Sequence, residues 1–180
     1  KLTGIGGAPA DKILVEASDK VTFVHPIAGF AAGGGVAGFG ATVMVNSVTS
    51  TIDAYVGGSD VQAKDIDVKA QGEQEYNHIV AVGFAGGGVA GVTGTVVVND
   101  VDTFVHAYIK DNAKVKAEDV DIDAQNKITL TSFIGAAAGG GVAAFGASVD
   151  VNNFKSTTEA YTGDGVAIEA KNVEIGRAHV

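Results

Sequence analysis

The segment Glu118-Asp119-Val120-Asp121-Ile122-Asp123 sets four carboxylates within six residues. In extended backbone, alternate residues share a face, so Asp121 and Asp123 point the same way. Rows of carboxylate oxygens are the donors that hard cations such as calcium prefer. Asp67, one repeat earlier, joins Asp121 and Asp123 as the candidate ligands. The pattern stops short of a calcium loop. It contains neither the Gly-Gly-x-Gly-x-Asp nonapeptide nor an EF-hand loop, and Lys69 stands where Asp123 stands in the next copy, supplying a salt bridge instead. No metal and no other cofactor is assigned.

Paired carboxylates also raise polysaccharide hydrolysis or elimination. That chemistry needs unlike acids, or an acid with an Arg or Lys base, converging in a groove. Here the acids recur as equivalents, and Arg177 is the only arginine, so no catalytic residue is assigned. His25 and His78 lie one period apart, with Thr131 next in the series. They read as strand surface rather than a zinc site. The Gly-rich runs lack the helix that a phosphate loop requires, since strand periodicity and valines follow each of them. Tyr55, Tyr108 and Tyr161, with Phe104, form an aromatic row. It suits either Tyr-on-Tyr packing with a wet hydroxyl or stacking against sugars.

These residues are placed by a repeat. Gly33-Gly34-Gly35 recurs as Gly86-Gly87-Gly88 and Gly139-Gly140-Gly141, a step of 53 residues. The same step carries Asn46 to Asn99 to Asn152, and Tyr55 to Tyr108 to Tyr161. A fixed period of this length means one structural unit stacked on itself. Val61-x-Ala63 recurs as Val115-x-Ala117 and Ile168-x-Ala170. Its first step is 54, which places one extra residue in the turn after Tyr108. Val15-x-Ala17 and Val21-x-Phe23 read as the late strands of an earlier unit, with one residue more between them. β-Branched residues, period-two alternation and scattered glycines predict short strands and no helix.

Within each copy Val43/Val96/Val149 and Val45/Val98/Val151 are constant, whereas Met44/Val97/Asp150 vary. The valines are therefore expected inside, and Thr42, Met44, Val97 and Asp150 outside, because an unpaired buried carboxylate is costly. The repeated Asn suits either a left-handed bend or an amide ladder from rung to rung.

The chain has 180 residues, 46% hydrophobic, with 26 Gly and no Cys. A disulfide framework and thiolate metal sites are excluded. A net charge of −9 disfavours nucleic acid as a partner. No apolar run free of glycine and polar residues is long enough to span a bilayer, so no membrane insertion by this segment is expected. The chain opens without Met, without a signal peptide and part-way through a unit, and is read as an internal fragment.

The string Gly-Gly-Gly-Val-Ala, then Val-x-Val-Asn, Ala-Tyr, a turn and Val-x-Ala-x-x-Val-x-Ile resembles the repeats of large bacterial filamentous adhesins. The likeness is to the leukotoxin-type and filamentous-haemagglutinin-like proteins, over roughly residues 13–175. The resemblance implies a secreted, cell-surface β-solenoid passenger, exported by an autotransporter or two-partner route and anchored at the outer membrane through other regions. Its partners would be host or bacterial surface glycans or proteins, met by the full-length adhesin.

The expected fold is an all-β solenoid, a right-handed parallel β-helix with about two coils per unit and equivalent residues about 10 Å apart. Stacked antiparallel β-sandwich-like repeats are the alternative. The divisions are 1–24 as the end of a preceding repeat, 25–77, 78–130 and 131–175 as repeats, and 176–180 as a tail. That tail breaks the period, resembles a translated sequencing adapter, and is expected to lie outside the fold. Three functions follow: a structural stalk, a glycan- or protein-binding strand face carrying Tyr55, Tyr108, Tyr161 and Phe104, and a carbohydrate-active enzyme.

Overall fold

The computed structural model describes residues 9–24, 27–32, 35–58 and 60–179. Every helix-or-strand element among them is a strand: β1 (Ala10–Val24), β2 (Ile27–Ala32), β3 (Ala37–Val56), β4 (Val61–Gly86), β5 (Ala90–Ile109), β6 (Lys114–Lys116), β7 (Asp119–Gly139), β8 (Ala143–Thr162), β9 (Ala167–Glu169) and β10 (Asn172–His179). One sheet has the order β3-β5-β8. The other runs β10-β7-β4, with β1 and β2 both on β4 and a short ledge through β6 and β9. Each strand pairing is parallel. The chain is an all-β solenoid, and the antiparallel alternative falls.

The coil is larger than the sequence suggests. Ala37 pairs with Ala90, and Ala90 with Ala143, so one 53-residue unit is a single coil of two long strands rather than two coils of short ones. Equivalent residues are therefore direct neighbours. The rings of Tyr108 and Tyr161 lie 5.0 Å apart, about one strand spacing instead of two.

The extra residue of the second copy does fall in the turn after Tyr108. Pairing steps by 53 at Val56↔Ile109 and by 54 from Val61↔Val115 to Ile79↔Phe133. It returns to 53 at Ala81↔Ile134 across a bulge at Val80. His78 consequently sits beside Ser132, not Thr131, and His25 lies outside the described residues. In β1, Val15 pairs with Val68 and Ala17 with Ala70, in unbroken 53-residue register, which corrects the expected extra residue there.

The core lies between the sheets. Ile52, Ala54, Val56, Val105, Ala107 and Ile109 face Ile66, Val68, Ala70, Val120, Ile122 and Ala124. Each Val or Ile buried this way contributes roughly 1.5–3 kcal/mol. A second cluster joins Met44 and Val97 to Ile134. Toward the Gly-rich arch the layers close to backbone contact. A Cβ on Gly38 would lie 2.2 Å from the Gly86 carbonyl oxygen, and one on Gly91 2.3 Å from that of Gly139. The coil is thus a wedge, thick at the Ile/Val end and thin at the glycines. At the thick end the corner is a left-handed residue three positions before the equivalent residues Val61, Val115 and Ile168: Gly58, Asn112 and Gly165, with φ of 133°, 59° and 68°.

The expected burial register is inverted. Met44 is 4% exposed, whereas Val43 is 67% exposed. Thr42 and Val97 are buried too, while Val45, Val96, Val149 and Val151 are exposed and Val98 is half-buried. Asp150 shares the inward row of Met44 and Val97. It stays exposed because β8 is the outermost strand of its sheet. There it accepts a hydrogen bond from Ser132 Oγ at 2.7 Å and lies 3.4 Å from Asn99 Nδ2. A carboxylate with donors and water can occupy an inward position, so it did not mark the outside.

The tail is also corrected. The register of β10 breaks after Ile175, where the repeat ends, and Gly176 has φ of 94°. Pairing then resumes at Ala178↔Ala124 and His179↔Gln125, so the strand reaches His179, and Val180 lies outside the described residues.

Candidate functional site

Rung stacking brings the acidic row together as its spacing predicts. Asp121 pairs with Asp67 on one side and Glu174 on the other, and Lys69 stands beside Asp123. Lysines occupy the positions a cation would take. Lys12 Nζ lies 2.6 Å from Asp67, and Lys69 Nζ lies 3.9 Å from Asp67 and 3.6 Å from Asp121. The hydrogen bond to Asp67, and then its charge, raise the Lys12 ammonium above the ordinary lysine range. Asp123 accepts from Gln125 Nε2 at 2.7 Å. Among the described residues no three His, Cys, Asp or Glu are grouped to hold a metal ion. A chelator is expected to leave the urea midpoint of the chain unchanged. A drop with EDTA that calcium reverses would make Asp67, Asp121 and Asp123 ligands after all.

The aromatic row is gathered on the outer face of the β3-β5-β8 sheet. Tyr55 and Tyr108 stack at 5.3 Å and 20°, Tyr108 and Tyr161 at 5.0 Å and 2°. Lys110 Nζ lies 5.5 Å from the centre of the Tyr55 ring. Phe104 follows two residues before His106, with ring centres 6.4 Å apart, and His106 Nδ1 meets Asp53 Oδ1 at 2.9 Å. Desolvation raises the Tyr108 and Tyr161 hydroxyls above the usual tyrosine range, so both stay protonated at neutral pH. The faces of Tyr108 are covered by its two neighbours. Only hydroxyls, ring edges and the outermost faces are left to meet a ligand.

The asparagines form an amide ladder in mid-strand, so the bend reading falls. Asn46 Nδ2 donates to Asn99 Oδ1, and Asn99 Nδ2 to Asn152 Oδ1, both at 2.7 Å. Asn99 is wholly buried. The same rung-to-rung habit governs the charged surface. Lys20 bonds Glu73 and Lys116 bonds Glu169, each at 2.9 Å, and Asn153 bonds Asp100 at 2.7 Å. Each pair is separated by one 53-residue turn. The Lys20 hydrogen bond holds the Glu73 carboxyl below its ordinary range.

Sequence reasoning placed the aromatic and acidic rows but missed the apolar one. The Val-x-Val positions assigned to the core form an exposed face, bounded by Phe39 and Phe145. The signal was present: both alternating positions are apolar around Met44 and Val97, the pattern of a strand with two apolar faces. No protein-family model, curated protein or solved structure matches the chain.

Proposed function

We propose that this chain is a stalk segment of a secreted bacterial surface adhesin, a non-catalytic solenoid that holds a binding region away from the cell. The supporting observation is where its polar side chains are used. The Asn ladder, the Lys–Glu pairs and the stacked tyrosines all join equivalent residues of successive coils. Chemistry of that kind ties a rod together along its axis. A ligand site instead gathers unlike groups at one place.

The competing reading makes the Tyr55/Tyr108/Tyr161/Phe104 face a glycan- or protein-binding surface. Binding of the labelled chain to a glycan array and to host cells separates the two. A stalk gives no saturable binding that depends on the tyrosine row. Saturable binding that Tyr161→Ala abolishes, with the β-sheet circular dichroism unchanged, would assign the Tyr face as a receptor and end the stalk reading.

A further inference from the structure

The Gly-rich arch of each coil is apolar on its outer surface. Residues 27–46, 79–99 and 132–149 contain no charged side chain and no histidine. On the β3-β5-β8 sheet, Phe39 is 72% exposed and leads a face continued by Val43 and Val45. On the opposite sheet Phe133 is 64% exposed, and at the tip Val142 is 82% exposed. The apolar surface therefore wraps around the thin edge of the wedge, whereas the charges lie toward the thick end. Contiguous exposed apolar surface of this kind marks an interaction site.

Area and charge decide between occupants. From Phe39 to Val45 there are four outward rows, about 20 Å of strand, on three strands about 4.8 Å apart. One face thus offers roughly 300 Å², and two copies packed face to face would bury roughly 600 Å², below the ~1,200 Å² of a stable interface. Such a dimer would also leave the tip and the other face in water, and would bring together two chains of net charge −9. A fluid apolar phase covers both faces and the tip at once. We infer that the Gly-rich arch is a lipid-contacting edge that docks into the interface of a bilayer with neutral headgroups.

The absence of Lys and Arg from the arch removes any preference for anionic lipid. Rung-to-rung pairing satisfies the β5 backbone on both sides, so β5 can meet an apolar medium without stripping polar groups. The charged side chains toward the thick end of the coil, Lys12, Asp67 and Lys69 among them, keep the contact at the interface and short of a span.

The chain has no Trp, so a single introduced one is an unambiguous reporter. Phe39→Trp places it in the apolar face, and Thr49→Trp on the polar part of the same strand. With phosphatidylcholine vesicles, the Phe39→Trp chain is expected to float with the lipid and shift its emission to shorter wavelength, independently of salt. Thr49→Trp should float without a shift. The double change Val43→Lys/Val149→Lys, at two exposed sites on different strands, should lower the bound fraction on the order of tenfold or more, as expected for removing Val-sized apolar contacts. If that variant fails to fold, the Phe39→Trp emission decides alone. No flotation and no shift, or undiminished binding by the lysine variant, would overturn the inference. So would Phe39→Trp emission already at short wavelength without vesicles in a species that sediments at twice the mass, which would give the face to a second copy.

Discussion

Asn99→Asp is expected to destabilise the chain by about 3–5 kcal/mol at neutral pH, the cost of an uncompensated buried charge. Asn99 is fully buried, with an amide on each side. Asn46 Nδ2 would still donate to the new carboxylate. The other direction fails: an oxygen would replace the Nδ2 that now donates to Asn152 Oδ1 at 2.7 Å, and it would face the Asp150 carboxylate as well. Burial and the nearby charge both raise the pKa of the introduced acid. The penalty is thus complete above that raised value and recedes as pH falls through it, where the neutral acid regains a donor. Asn99→Leu removes donor and acceptor together and strands only the amides of Asn46 and Asn152, which lie on the outer strands. It should cost about 1–3 kcal/mol and show no such pH dependence. Urea midpoints at pH 7 and pH 5 check both the order and the pH trend. Equal losses at both pH values for Asn99→Asp would mean that the ladder's polarity does not matter.

The same ladder shows what the sequence can and cannot carry. An amide recurring at Asn46, Asn99 and Asn152 needs a partner in every copy, and a neighbouring copy supplies it. Rung-to-rung bonding was therefore legible as one of two readings, the other being a bend, and the stacked tyrosines and the acidic row were legible from the same period. A repeated unit stacked on itself follows from the period alone, whereas the choice of a parallel solenoid over antiparallel sandwiches needs the strand pairing. Coil length does not follow from the period either, because 53 residues accommodate two small turns or one large turn equally well until the pairing of Ala37 with Ala90 is seen. The burial register was lost for a different reason. Around Val43 both faces are apolar, so hydrophobicity could not orient the strand, and Asp150 seemed to break the tie. That residue lies on the outermost strand, where water and Ser132 reach an inward side chain. A substitution in an outermost repeat thus reports on its open edge as well as its face. The bulge at Val80 was hidden as well: it compensates a one-residue insertion some twenty residues away along the coil, and no local residue pattern announces it.

Gly91→Ala is expected to lower stability by about 1–3 kcal/mol or more, while Gly94→Ala, three residues along the same strand, should be neutral or gain a few tenths of a kcal/mol. The added methyl at Gly91 would lie 2.3 Å from the Gly139 carbonyl oxygen, a backbone atom that cannot swing aside, so the two layers must part at the arch. At Gly94 the same methyl meets nothing within 4 Å. Both substitutions reduce the freedom of the unfolded chain alike, so the difference between them isolates the close approach. Denaturant midpoints measure the loss, and amide hydrogen exchange locates it. Protection should fall along β5 near Gly91 and in β7 near Gly139, and persist around Ile109 and Ile122, where side chains rather than bare backbone set the distance between layers. If the two variants proved equally stable, the layers would be free to separate at the glycines, and the thin edge of the wedge would not be a fixed feature of the fold.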